Sequence, residues 1–217
     1  MAKKPAAGAK AARDPAQVLI DAALELAALQ GWQNTSLREI ALQADVPPAE
    51  ARAVFPSKMA LLSALFARTD QAMLADAEPG TEEPVRDRLF DIVMCRFDAL
   101  APHKAGLRAI LKDLPRDPAV ALCLARGPMR RSLEWMLEGA GVDSWGPLRP
   151  LQIKGLGVIY LVALRAWLKD ESEDLSATMA ALDKALDRAD QMVGRLSRRR
   201  RRPSRDEGET ADESADK

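Results

Sequence analysis

The sequence predicts an all-α protein, and three observations carry that expectation. Apolar residues recur at three- and four-residue spacing through most of its 217 residues, and no alternating strand pattern stands out. Ala, Leu, Arg, Glu and Met abound while β-branched residues are sparse. Prolines, glycines and hydroxyl or carboxylate residues sit where helices would begin and end. About nine helices are expected, as a three-helix head and a larger helical bundle.

Composition bounds the function. Hydrophobic residues make up 47% of the chain and aromatic residues 4%, so aliphatic helix packing must supply the core. The 32 basic residues balance 32 acidic ones, so no global field draws the chain to nucleic acid, and basic character must be local. Cys95 and Cys123 lie in no metal or redox spacing and read as buried thiols in a reducing compartment. The basic N-terminus lacks the apolar core of a secretory signal. The longest apolar run, near Gly155 to Leu164, is short of the ~20 residues a spanning helix needs. A soluble, cytoplasmic protein is expected.

Residues 1–13 are Ala- and Lys-rich with few large apolar side chains and read as a disordered basic arm. There Lys3, Lys4, Lys10 and Arg13 could lie along phosphates or simply solubilise the chain. The first helix starts at Asp14-Pro15-Ala16-Gln17, with Asp14 as cap, proline at the first position and Gln17 completing a capping box. Its stripe is Val18, Leu19, Ala22, Ala23, Leu26 and Leu29, and Gly31 stops it. Trp32 reads as core.

The stretch Thr35 to Lys58 reads as two short helices about a tight turn. Ser36 and Glu39 have capping-box spacing, and Leu37, Ile40 and Ala41 share a face. Ala44-Asp45-Val46 is the turn, with Asp45 the residue to take a left-handed conformation. Pro47 and Pro48 open the next helix, which buries Ala51, Val54 and Phe55. This is a helix-turn-helix, whose second helix suits a DNA major groove.

These residues resemble the TetR family of transcriptional regulators. The resemblance rests on Gly31-Trp32, Thr35-Ser36, Arg38-Glu39-Ile40-Ala41, the Ala44–Val46 turn, and Phe55-x-Ser57-Lys58 before Leu61-Leu62. It departs where DNA would be read: typical members carry Gly at Asp45, a Ser cap at Pro47 and an aromatic at Arg52. The resemblance implies DNA contacts from Thr35, Ser36, Arg38, Pro47, Pro48, Ala49, Glu50, Arg52, Ala53 and Lys58. Against it stands the charge of the stretch, where Arg38, Arg52 and Lys58 are cancelled by Glu39, Asp45 and Glu50. It divides the chain into a DNA-binding head, 14–58, and a ligand-binding and dimerisation domain, 59–196, whose first helix, 59–77, is the connector.

Ser57 caps that connector, with Leu61, Leu62, Leu65, Phe66 and Met73 inward. The Pro-Gly turn in 77–82 is the clearest boundary. Beyond it, Val85 to Leu100 is one helix ended by Pro102, and Leu107 to Leu114 a shorter one ended by Pro115. Asp117-Pro118 starts a helix that Gly127-Pro128 kinks before Leu133, Met136 and Leu137. Gly139, Gly141, Gly146 and Pro147 make a loop. Leu151 to Leu168 is apolar almost all round and reads as a central buried helix. Leu175, Met179, Leu182, Leu186, Ala189, Val193 and Leu196 keep a heptad pattern.

TetR proteins commonly dimerise through their last two helices, which implies a homodimer through 151–196. Residues 197–217 hold the basic run Arg198–Arg202 and then an acidic tail, and read as disordered. Candidates to line a pocket for a hydrophobic small molecule or lipid effector are Met94, Phe97, Met129, Trp135, Met136 and Tyr160. No catalytic residue, metal site or cofactor is expected: His103 has no partner motif, and there is no phosphate loop or nucleophile elbow. Acidic residues in Asp170 to Asp174 read as caps for the following helix.

A second resemblance covers residues 85–196. Val85-Arg-Asp-Arg88, the Leu114-Pro115 break and Trp167 to Thr178 with Leu182 are similar to the lipid-binding accessory family of coenzyme Q (ubiquinone) biosynthesis. Gly31-Trp32 and Phe55-Pro56 suit it as well. Its members have a TetR-like fold with a degenerate head and hold isoprenoid lipids. The alternative function is therefore a lipid-binding accessory protein, and only then does a membrane surface become a partner. Members also carry an amphipathic C-terminal helix, for which 197–217 lack large apolar residues.

Overall fold

The computed structural model describes residues 14–76, 82–142 and 146–200, with the side chains of 76 and 193–200 left out. Ten α-helices follow one another: α1 (Pro15–Gln30), α2 (Leu37–Gln43), α3 (Pro48–Val54), α4 (Lys58–Asp76), α5 (Val85–Leu100), α6 (Lys104–Asp113), α7 (Pro118–Leu124), α8 (Arg130–Gly139), α9 (Arg149–Trp167) and α10 (Ser176–Arg200). No strand occurs among the described residues. The helix count agrees with the about nine expected, the kink at Gly127-Pro128 being a π-turn, Ala125–Met129, that separates α7 from α8. The basic arm, the Pro-Gly boundary at 77–81 and the tail beyond 200 lie outside the described residues.

Local signals account for the helix ends. Asp14 caps α1 by accepting the Ala16 N–H at 3.0 Å. Gln17 closes no capping box: its side-chain amide instead donates to Asp21 and accepts from Arg68. Gly31 stops α1 at φ +86°, a conformation glycine adopts without strain. The stripe of α1 is rotated from expectation, because α6 packs against it within the same core as α2, α3 and α4. Leu19, Ile20, Ala22, Ala23, Leu24 and Ala27 are buried, whereas Leu29 is 80% exposed.

Two apolar cores share α4. The first gathers α1, α2 and α3 around Leu61, Leu62 and Leu65 of α4, and takes Ile110 of α6 and Leu124 of α7 with them. The second packs Met73 of α4 with the inner faces of α5, α8, α9 and α10. In it Phe97 stacks between Tyr160 and Trp167, with ring centroids 5.6 and 5.4 Å away. Between the cores α6 lies against α1 so closely that a methyl group on Gly106 would stand 2.4 Å from the Leu24 carbonyl oxygen.

Three readings of the sequence change. α9 is not buried all round: Leu151, Val158, Leu161 and Val162 are 64, 63, 49 and 40% exposed and fall on one side of the helix. The heptad of α10 is used inside the chain, where Leu182 and Leu186 close the second core against α9 and α5. Cys95 is half-buried, and Cys123 is exposed on α7 because that short helix buries only Leu124.

The α9–α10 turn is held by Asp170. It accepts the Thr178 N–H and hydroxyl at 2.8 and 2.7 Å and the Ser172 N–H at 3.1 Å, with the Ser172 hydroxyl beside it. The Ser172 and Thr178 hydroxyls hold this carboxyl well below the usual carboxylate range. Asp174 accepts the Ser176 N–H at 3.2 Å, so acidic residues of this run cap α10 as expected.

Candidate nucleic-acid interface and effector core

The helix-turn-helix forms as its spacing requires. Ser36 and Glu39 exchange both bonds of a capping box: Glu39 N–H to Ser36 Oγ at 3.2 Å, and Ser36 N–H to Glu39 Oε2 at 2.7 Å. The Ser36 hydroxyl first and its N–H second lower the Glu39 pKa. Asp45 takes φ +52° in the turn. Pro47 caps α3 without a side-chain bond and Pro48 is its first residue, so neither offers an N–H there. Ala51 and Phe55 anchor α3 to the first core.

The outward surface is small. Ser36, Arg38, Pro47, Pro48, Ala49, Glu50, Arg52 and Ala53 are exposed. Among the described residues no hydrogen bond or ion pair engages Arg38 or Arg52. The other two residues proposed to meet DNA face inward. Thr35 is 2% exposed, and its hydroxyl donates to the Gly31 carbonyl at 2.9 Å. The Lys58 ammonium donates to the Trp32 and Thr35 carbonyls at 2.5 and 2.7 Å and lies 4.3 Å from the Trp32 ring centroid. Burial lowers its pKa, against the pull of Asp113 and Glu39. Lys58 thus fastens the loop before α2 to the start of α4.

Of the six residues proposed to line a pocket, Phe97, Met136 and Tyr160 lie in the closed second core, and Met94 and Met129 pack half-buried against it. Trp135 is half-buried on α8. Two open clefts flank α1, lined by residues such as Gln17, Asp21 and Glu25, and none of the six borders either one.

Among those residues lies a polar cluster that sequence reasoning missed. Arg96 of α5 and Asp70 of α4 are each 1% exposed and form an ion pair. The Arg96 Nε–H donates to the Tyr160 hydroxyl at 3.2 Å and an Nη2–H to Ser132 Oγ at 3.3 Å. The Ser132 hydroxyl lies 2.8 Å from Asp70 Oδ2 and 3.1 Å from the Pro128 carbonyl, and donates to either. Burial pushes the Asp70 carboxyl up, against the opposing pull of Arg96 and Ser132. Arg96 stays charged because the Tyr160 and Asp70 oxygens outweigh its own burial. The signal was present as spacing: position 96 falls in the stripe Ile92, Val93, Phe97 and Leu100, and position 132 falls beside Leu133 and Met136.

Head and body meet along α1 and α6. Besides the Gly106 approach, the Asp113 carboxylate accepts the Gln33 N–H at 3.3 Å, and His103 Nε2 lies 3.6 Å from Asp21. Arg68 of α4 pairs with Asp14 at the start of α1.

Residues 19–65 match the family described as bacterial regulatory proteins, tetR family. The head is a TetR-type helix-turn-helix domain. Most of the chain is similar to the crystal structure of the TetR transcriptional regulator from Nitrosomonas europaea ATCC 19718. Identity is 27% over 82% of this chain and 99% of that one, with a TM-score of 0.66. The fold is shared with putative TetR-family regulators from Rhodococcus sp. and Syntrophomonas wolfei. The first is 17% identical over 80% of this chain and 97% of the other, with a TM-score of 0.58. The second is 16% identical over 83% and 95%, also at 0.58. Among curated proteins no relative matches the chain. The resemblance of 85–196 to the coenzyme Q accessory family is not shown by these comparisons. No helix among the described residues is long and apolar enough to cross a membrane.

Proposed function

We propose that this protein is a DNA-binding transcriptional regulator of the TetR type, working as a homodimer whose helical body binds a hydrophobic effector. The observation that carries the reading is the outward face of α3. It is supported on a buried framework of Ile40, Ala41, Ala51 and Phe55 and presents Arg52 to solvent, and Arg38 of α2 is exposed as well. The likeness to the Nitrosomonas regulator over almost its whole length supports it. Arg52 is the candidate for a base edge, and Arg38 with the Ser36 hydroxyl for phosphate.

The exposed apolar side of α9 supports the dimer. Leu151, Val158, Leu161 and Val162 make a stripe of the kind that marks an interaction surface. A second copy packed there would set the distance between two heads. Effector and operator then act by linkage: each favours one head spacing, so each weakens the other's binding.

The test is direct binding of the full chain to duplex DNA from its own upstream region, across a salt series. The expected result is saturable binding by a dimer that weakens as salt rises. No binding at low salt, with lipid co-purifying, would overturn this reading in favour of the lipid-binding accessory function.

A further inference from the structure

The Asp70–Arg96 pair is an unusual occupant of an aliphatic core. A buried ion pair stabilises a fold little more than apolar residues of the same volume would. Its placement is specific: the guanidinium stands on α5, its anion on α4, and its hydroxyl partners Ser132 and Tyr160 on α8 and α9. The anion therefore comes from the helix that runs into the head core, and the other three partners come from the body.

A guanidinium is a planar fork that matches a carboxylate with two parallel bonds. Around it the surfaces suit an apolar tail. The Phe66 and Tyr160 rings lie 5.5 and 5.7 Å from the guanidinium carbon, and Met94 and Met129 are half-buried at the core's margin. The π-turn Ala125–Met129 borders the cluster, since Ser132 bonds the Pro128 carbonyl. Such turns interrupt regular helix bonding and recur at functional sites.

We propose that Arg96 is the anchor of the effector site: an amphiphile with a carboxylate head and an apolar body exchanges for the Asp70 carboxylate on the guanidinium. The exchange breaks the ionic tie between α4 and α5 while Arg96 keeps an anionic partner. This rests on the reading of the body as an effector domain and gives that effector a chemical class. Asp70 is the built-in competitor, and the exchange makes and breaks only ionic and hydrogen bonds.

The experiment uses the full chain, with calorimetric titration of dodecanoate and naphthoate, each beside the alcohol of the same skeleton. A carboxylate should bind at least about tenfold more tightly than its alcohol, a typical coupling between competing contacts. Asp70→Asn, which removes the competing charge and keeps the shape, should tighten carboxylate binding by a similar factor. The paired variant Asp70→Leu with Arg96→Met replaces both charges by apolar groups and guards against misfolding of the single change. It should bind carboxylate no better than alcohol. Equal binding of acid and alcohol by the unaltered chain, or a carboxylate preference that survives in the paired variant, would overturn the proposal. The upstream duplex serves as a separate readout. Carboxylate binding that depends on Arg96 but leaves DNA affinity unmoved keeps the anchor and removes the linkage between effector and operator, whereas absence of any duplex binding removes the regulator reading.

Discussion

Gly106 in α6 meets the backbone of Leu24 in α1 with no room for a side chain between them. The contact joins the helix that supports the reading head to a helix of the body. Gly106→Ala would place its methyl 2.4 Å from the Leu24 carbonyl oxygen, with Leu24 Cα and carbonyl carbon at 2.9 Å, so backbone must move. Overpacking of this kind costs about 1–3 kcal/mol. A urea unfolding curve of Gly106→Ala should show a loss in that range, and an unchanged midpoint would mean that α6 shifts freely on α1.

Lys58 is expected to matter for stability rather than for DNA. Its ammonium is spent on the Trp32 and Thr35 carbonyls. Lys58→Met should cost about 1.5–2 kcal/mol, the lower part of the range for hydrogen bonds to a charged group, because the site is half-exposed. The slope of operator affinity against salt should stay as it was. A slope reduced by about one would make Lys58 a phosphate contact instead.

Arg52 has the opposite signature. It stands exposed on α3, so Arg52→Ala should leave the unfolding midpoint in place. It should weaken operator binding by about 1–3 kcal/mol and relax preference at one base position. Competition among single-base operator variants measures this, and an equal loss on every sequence would assign Arg52 to the phosphates.

The dimer can be tested on α9. Val158 is 63% exposed, so Val158→Glu should fold normally in a single chain. Near a two-fold axis it would set two carboxylates against each other, and sedimentation should then report monomer. A dimer that persists would place the interface away from this face.

Asp170 gives a pH dependence with a definite sign. Its folded-state pKa is depressed by the Ser172 and Thr178 hydroxyls, so its contribution is fully present above the ordinary carboxylate value. That contribution is lost as pH falls through about 4 toward the depressed value. The stability gap between the native chain and Asp170→Asn should be widest near neutral pH and shrink in acid. A gap independent of pH would mean that the hydroxyls bond an amide equally well.

Much of the head was legible because its information is local. A hydroxyl three residues before a carboxylate, or a proline at a first helical position, fixes a helix start without reference to the rest of the chain. The body was less legible, because apolar spacing says that a face is covered but not by what. The heptad of α10 looked like an interface and is covered by α9 and α5, while α9 looked buried and leaves one side open. Arg96 and Asp70 escaped for the same reason: a charge within an apolar stripe has meaning only once its partner, 26 residues away, is found.

The sharing of α4 between two cores has a consequence for unfolding. Leu61, Leu62 and Leu65 close the head, and Met73 on the same helix closes the body. Neither half can come apart without fraying a helix that the other half holds. Heat or denaturant should therefore melt the chain in a single cooperative step, and a fragment of residues 14–58 would lack the lid of its own core. Backbone amides in the middle of α4 should exchange with solvent at the rate of global opening, slower than those of α3.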